Sequence, residues 1–514
     1  MKLRKVCGID LGSSNSSIAH WTPRGPEVIK VDGADIMPSV VTIVPADAVA
    51  QGDSQIFVGL DGIEAGKRYR QYCYRNFKRR LAQPFNENED HGSQIVEGKD
   101  DETREGTGLL AYQGPDGYTY PPLTMCSAVI SKLLDAAAIK FNGERPDAAV
   151  ICVPPNFTLE QIAEVEEAGR MAGLKFIETM SEPTAAAVAS GASAKRVERM
   201  VVVDVGGGTS DVSIVQAGHG RIEVIATSGS SITGGSDVDD MLAKYIVGQW
   251  AKSHDGVDLA VDDTAMSLVL QESEQAKIRL SRKQKTELRI KDFDRTPGGE
   301  VLHLDHIVDR PLLEHLSKDI LMRIRRVCEI AISDAQRKDP NFNPRHDIKR
   351  VVLVGGGTEM PAVQALVADV FGQTPRTDLD PRTAVVLGAA IRAAVLEGRK
   401  NDLVIQDITS FSVAVEIYDK VEGVASIVIP RGTPFPSERV EAFFLTNREP
   451  GQTVLPVRIV TGDESRAALC DLLHAIDVPL EPGEPRSARV PFTVALSDRG
   501  TPYGRVGEVE WGEA

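Results

Sequence analysis

Two periods of apolar residues divide this chain. Over residues 1–397, short apolar runs alternate with stretches in which apolar positions recur every third or fourth residue. The apolar runs 148–153, 201–205 and 351–354 read as strands. Helical spacing marks 127–140, 159–172, 238–252, 266–282 and 361–371. It is clearest over 312–338, where Leu312, Leu316, Ile320, Ile324, Val327 and Ile330 fall on one face. Strands interleaved with helices predict an α/β architecture. After Gly398 the period shortens to two: Val413, Val415 and Ile417 alternate, and further strand-like runs lie at 425–429, 440–445, 455–460, 489–496 and 505–511. Proline and glycine turns separate them, which predicts an all-β sandwich of about 105 residues. Residues 86–107 are polar and acidic and read as a surface loop.

One local pattern is written twice at strand ends. Val6-Cys7-Gly8-Ile9-Asp10-Leu11-Gly12-Ser13-Ser14-Asn15-Ser16 and Val201-Val202-Val203-Asp204-Val205-Gly206-Gly207-Gly208-Thr209-Ser210-Asp211 each pass from an apolar run through an acid to glycines and hydroxyls. Glycines let backbone N–H groups approach a phosphate, hydroxyls add donors, and an acid at a strand end can hold a hydrated magnesium ion. A third glycine turn, Leu353-Val354-Gly355-Gly356-Gly357-Thr358, precedes a helix from Pro361. A lone glycine turn is usually just a turn; three in order, with Lys78 and Glu182 between them, point to a phosphate clamp.

A net charge of −16 over 514 residues argues against a general nucleic-acid or anionic-membrane binder, since both need a basic face. No stretch reads as approaching the ~18 apolar residues of a membrane helix, and the basic start, Met1-Lys2-Leu3-Arg4-Lys5, has no apolar signal core behind it. Cys7, Cys73, Cys126, Cys152, Cys328 and Cys470 form no CxxC pair and read as buried free thiols of a cytoplasmic protein. His303-Leu304-Asp305-His306 lies in an alternating stretch without further ligands and reads as solvent-facing strand, not a metal site.

Taken together, the motifs resemble the seventy-kilodalton heat-shock chaperone family. Besides the three turns, the matching residues are Phe77-Lys78-Arg79-Arg80-Leu81, Val153-Pro154-Pro155-Asn156-Phe157, Ala168-Gly169-Arg170-Met171-Ala172-Gly173-Leu174, Ser181-Glu182-Pro183-Thr184, Gly234-Gly235, Glu274-Gln275-Ala276-Lys277 and Asp380-Pro381-Arg382-Thr383. The resemblance implies an actin-like ATPase fold of two lobes around a nucleotide cleft over 1–397, a linker over 398–407 and a peptide-binding β-sandwich over 408–514. It implies a stress-response chaperone that binds ATP and ADP with magnesium and acts on unfolded or extended polypeptide. By resemblance, Asp10 and Asp204 hold magnesium through waters, and Lys78 neutralises phosphate charge. Glu182 and Asp211 complete the acid set. Gly12, Ser13, Ser14, Asn15, Gly206, Gly207, Gly208 and Thr209 contact phosphates, and Gly234 and Gly235 close over them. Glu274, Lys277 and Ser281 hold the nucleoside, with Gly355, Gly356 and Asp380 below it.

The tail matches more loosely. Leu403, Val404, Ile405 and Asp407 occupy the linker, with Gln406 in place of an apolar residue, which is expected to weaken docking. Phe411, Val413, Val424 and Leu455 are candidates for the peptide pocket. The family's glycine-rich loop is replaced by Tyr418-Asp419-Lys420-Val421-Glu422-Gly423-Val424. Three residues follow Trp511, without sequence for a helical lid, which predicts fast client exchange. A J-domain co-chaperone and an exchange factor are the implied partners. Their contacts are altered: Ile162 stands where the family has an arginine after the hinge proline, here Pro154, and Glu178 reverses a basic residue. Glu359 removes an arginine beside the base. The rival readings are an actin-fold ATPase with a regulatory β module, a small-molecule kinase on that fold, and an actin-like filament protein.

Overall fold

The computed structural model describes residues 5–48, 54–87, 94–100, 105–191, 197–230, 232–253, 263–295, 301–376, 379–400, 404–409, 411–419, 422–438, 440–497 and 500–512. The chain forms two compact units. The first holds residues 1–219 and 228–403, the second 220–227 and 404–514.

The first unit repeats one plan. Strand Val6–Leu11 pairs antiparallel with Asn15–Thr22 and parallel with Ala148–Val153. Strand Glu198–Val205 pairs antiparallel with Ser210–Gly218 and parallel with Ile348–Val354. A glycine turn closes each hairpin, and an acid stands at the same place in each. Asp10 lies opposite Ser17 and beside Cys152; Asp204 lies opposite Asp211 and beside Val354. The central strands are buried on both faces, as their unbroken apolar runs require.

Helices cover these sheets for local reasons. Thr158 and Gln161 form a reciprocal capping box that starts helix Leu159–Met171. Helix Ala384–Leu396 packs on Glu182–Ala189 through small residues, so closely that a Cβ on Gly388 would overlap the Ala185 carbonyl. Helix Pro122–Lys140 is long and apolar enough by composition to cross a membrane, which corrects the sequence reading. It is a core element: Met125, Cys126, Val129, Ile130, Leu133 and Leu134 are buried.

Other expectations change as well. The helical stretch 312–338 is two helices, Arg310–Leu316 and Lys318–Lys338. Ser317 lies between them, its hydroxyl and its N–H both donating to the Leu313 carbonyl at 2.8 and 2.9 Å. The stretch 86–107 contains strand Ile95–Lys99 and the start of Gly106–Gln113, paired in one sheet. Of the cysteines, four are buried, while Cys73 and Cys470 are half-buried; all six are free.

The second unit is a sandwich of two four-stranded sheets. One orders Glu422–Ile429, Val413–Asp419, Val454–Thr461 and Asp471–Pro479; the other Val440–Leu445, Val490–Leu496, Pro502–Val506 and Val509–Trp511. Its core holds Val413, Val415, Ile459, Phe492, Val506 and Trp511, with the Phe492 ring stacked between Phe443 at 5.6 Å and Trp511 at 6.0 Å. Strand Asp471–Pro479 escapes the sequence reading because its burial is shallow and irregular, leaving little alternation to see.

Candidate active site

In the first unit the glycine turns converge on a cleft with about 120 Å³ of free volume. Its walls carry Asp10, Gly12, Ser13, Ser14, Asn15, Lys78, Glu182, Asp204, Gly206, Gly207, Thr209, Gly355 and Gly356, all singled out in the sequence. The first turn is propped from below. Ser39 donates its hydroxyl to the Gly12 carbonyl at 2.7 Å and its N–H to the Ser14 carbonyl at 2.8 Å, and it shares a hydroxyl bond with Ser16. The second turn is tied to the helix Gly235–Ser253: Gly235 N–H donates to Gly206 O at 2.9 Å and Ser236 N–H to Gly207 O at 2.7 Å. The two turns meet, since a Cβ on Gly207 would overlap the Ser14 hydroxyl. The third turn needs glycine outright: Gly355 has φ +78° and sits against the Val205 carbonyl and the Asp204 carboxylate.

Between the turns lies a buried cluster of charge. Lys78 Nζ donates to Glu182 Oε1 at 2.7 Å and lies 5.3 Å from the centre of the Phe157 ring. Burial alone would discharge the lysine, but the charge and hydrogen bond of Glu182 and the charge of Asp10 raise its pKa above the ordinary value. The carboxylates feel the opposite balance. Desolvation, then repulsion from Glu182, pushes Asp10 up to about 7 against the pull of Lys78. Desolvation first and Glu182 second also push Asp204 and Asp211 well above the carboxylate range. One lysine among four acids leaves a deficit of positive charge.

The remaining expected residues stand behind the walls. Asp211 is wholly buried. Gly208 packs under the Arg79 side chain and Gly234 against the Gly207 carbonyl. Lys277, on helix Asp263–Arg282, donates to Gly235 O at 2.9 Å and to Asp239 Oδ2 at 2.7 Å, bracing helix Gly235–Ser253. Ser281 donates back to the Lys277 carbonyl at 3.2 Å, and Glu274 is half-buried on the same helix. Asp380 is gripped by Arg382 through two bonds of 3.0 and 2.7 Å. Ser16, Ser17, Ile36, Val354, Pro381, Arg382 and Val385 complete the lining and were not among the expected site residues. Arg382 is the informative one. Its ion pair with Glu359, 3.4 Å, returns a cation to the wall where Glu359 had seemed to remove one. Glu178 is likewise not a lone negative charge: Arg392 Nε lies 2.6 Å from its Oε1.

These groups fit a magnesium nucleotide. Converging acids that burial has made costly to ionise gain from a divalent ion, and glycine turns with hydroxyls suit a phosphate chain. Among the described residues no three His, Cys, Asp or Glu side chains form a cluster that would hold a metal ion directly.

In the second unit, strand Val404–Ile408, which falls in the stretch expected to be a linker, pairs parallel with residues 221–223. Val404 N–H donates to Gly220 O at 2.7 Å, and Ile405 lies beside Ile222. Gln406 Oε1 accepts from Arg221 at 2.5 Å, so the polar substitution carries its own bond. Asp407 pairs with Phe435, and Leu403 lies outside the described residues. Val413 and Leu455 belong to the sandwich core, Phe411 packs on its margin, and Val424 is half-buried opposite Arg466.

Comparison with known proteins agrees with this geometry. The family model described as Hsp70 protein matches residues 6–496. The chain is 33% identical over 471 residues to Chaperone protein dnaK of Cyanidioschyzon merolae, covering 90% of this chain and 73% of that protein. It is 34% identical over 475 residues to Chaperone protein DnaK of Thermus thermophilus, covering 90% and 72%. With the Thermotoga maritima DnaK it shares 34% identity over 469 residues, covering 89% and 70%. A match of that extent, carried by the same turns that build the cleft, means that the chain belongs to the Hsp70 family of ATP-hydrolysing chaperones.

Proposed function

We propose that the cleft hydrolyses ATP to set the affinity of the β-sandwich for unfolded polypeptide. The buried Lys78–Glu182 pair carries the reading, because a lysine held charged among acids, between two glycine turns, is a fixed cation where phosphate would lie. Lys78 offsets charge on the transferred phosphoryl group, and Glu182 fixes the lysine's position. Ser13, Ser14, Asn15, Gly206, Gly207 and Thr209 offer donors to the phosphate chain. Asp10 and Asp204 hold the magnesium shell, and Asp211 serves the attacking water with Glu182. Bound magnesium supplies the divalent charge that this acid-rich cluster calls for. On the nucleoside side, Arg382 takes the place of the lost arginine. The β-sandwich holds extended polypeptide by main-chain hydrogen bonds with a pocket for one side chain, and pairing of the linker strand with residues 221–223 is the element that ATP turnover controls. A J-domain partner would meet the neutral Glu178–Arg392 pair. A sugar kinase or a filament protein needs neither linker nor sandwich.

The test is steady-state ATP turnover with and without a reduced, unfolded client. Client is expected to stimulate turnover, and changing Leu403, Val404 and Ile405 together to Asp is expected to abolish the stimulation. Turnover indifferent to client would overturn the coupling.

A further inference from the structure

Asp211 has a neighbour that the chemistry above does not use. It opens the return strand Ser210–Gly218 and is wholly buried. Neither of its oxygens has a well-formed hydrogen bond, although the Thr209 hydroxyl offsets part of the cost of burial. Asn156 lies in the loop between strand Ala148–Val153 and helix Leu159–Met171, and its Oδ1 is also buried without a partner. Buried polar groups without partners are uncommon in folded proteins, and both of these side chains face one glycine. A Cβ built on Gly229 would overlap Asp211 Oδ1 and lie 3.2 Å from Asn156 Nδ2. Both side chains pack against the bare Cα of Gly229.

The charged groups around Asp211 are Glu182 and Lys78, with Asp204 directly across the hairpin. Lys78 is committed to Glu182 at 2.7 Å. The Asn156 amide is thus a neutral donor close to a carboxylate that lacks one, and it leaves the charge of the cluster unchanged. Its loop is braced as well, since the next residue, Phe157, lies under Lys78.

We propose that Asn156 is a positioning residue for ATP hydrolysis, its side-chain amide standing beside the Asp211 carboxylate at Gly229 and donating to it when the site is loaded. The inference rests on Asp211 belonging to the hydrolytic machinery. A carboxylate without a fixed donor rotates between orientations, and only one of these serves the reaction; a donor held beside it selects that one.

Kinetics of Asn156→Ala, Asp211→Asn and the double variant with MgATP decide the matter, read beside ATP affinity and the thermal midpoint. Asn156→Ala is expected to lower kcat about tenfold with ATP affinity and midpoint unchanged. In the Asp211→Asn background the same change is expected to cost nothing further, because residues acting through one another are not additive. Asn156→Leu, close in shape with the donor removed and no charge added, is expected to lose as much and guards against a packing effect of the alanine. Wild-type kcat in both Asn156 variants, or an equal fold-loss in both backgrounds, would overturn the inference while leaving Asp211 in place. Wild-type kcat in Asp211→Asn would overturn both readings.

Discussion

Lys78 and Glu182, 104 residues apart in sequence, form one ion pair of 2.7 Å with side chains 3% and 9% exposed. A pair so fully removed from water does little for stability on its own. Its value lies in keeping one cation charged and fixed inside an acidic cluster.

Lys78→Ala is therefore expected to reduce ATP turnover about 10²–10³-fold, with ATP still bound. Removing one partner also strands a buried carboxylate, which costs about 3–5 kcal/mol. Glu182→Gln in the same background should recover part of that stability and none of the turnover. Single-turnover hydrolysis, ATP titration and thermal melts check this; turnover within twofold of the parent would remove Lys78 from the chemistry.

Magnesium–nucleotide affinity should fall as pH drops from 8 to 6. Burial and Glu182 push Asp10 up to about 7, so in the proposed role of magnesium ligand it would give up a proton on binding. The affinity should fall by up to about tenfold per pH unit for each proton displaced. Without nucleotide, the same shift runs the other way. The folded state binds that proton more tightly than the unfolded state, so the stability Asp10 contributes is full below about 4 and lost as pH rises through 7. Calorimetric titration in buffers of different ionisation heat measures the protons released; affinity flat across pH would contradict the assignment.

Gly388→Ala should damage fold and chemistry together. The added methyl overlaps the Ala185 carbonyl, which is backbone and cannot swing aside, on the helix that begins with Glu182. Overpacking of this kind costs about 1–3 kcal/mol, and the displaced helix should carry Glu182 away from Lys78. A lowered melting midpoint with a lower kcat is expected; a lowered midpoint with normal kcat would show that the helix shifts without moving Glu182.

Arg221→Ala should loosen the linker strand. It deletes the 2.5 Å bond to Gln406 while sparing the main-chain pairing of residues 221–223. A partly exposed hydrogen bond of this kind contributes about 1 kcal/mol, so amide exchange at residues 404–406 should quicken about fivefold. Unchanged exchange would leave Gln406 without a role in linker pairing.

Much of the cleft was legible because its parts are local. Strand, acid, glycine and hydroxyl follow one another within eleven residues at Val6 and again at Val201, and chain order does the rest. What stayed hidden depends on distance. Ser39 looks like any loop serine, and only its return to the first turn gives it work. Glu178 and Glu359 read as charge reversals until Arg392 and Arg382 arrive beside them. The break at Ser317 hides because the apolar period continues across it. Residues 220–227 could not be assigned to the second unit, since nothing local in a strand names its partner.

The cysteines have a practical meaning. Cys7, Cys126, Cys152 and Cys328 are buried, and loss of solvent pushes the Cys126 and Cys328 thiols to about 12, beyond the reach of alkylating reagents at neutral pH. Cys73 and Cys470, one in each unit, are the half-buried pair. The chain thus carries its own unfolding counter. A thiol reagent should mark up to two sites on the native protein and six once the core opens, and Cys126, which senses the charge of Lys78, reports on the catalytic end of that core.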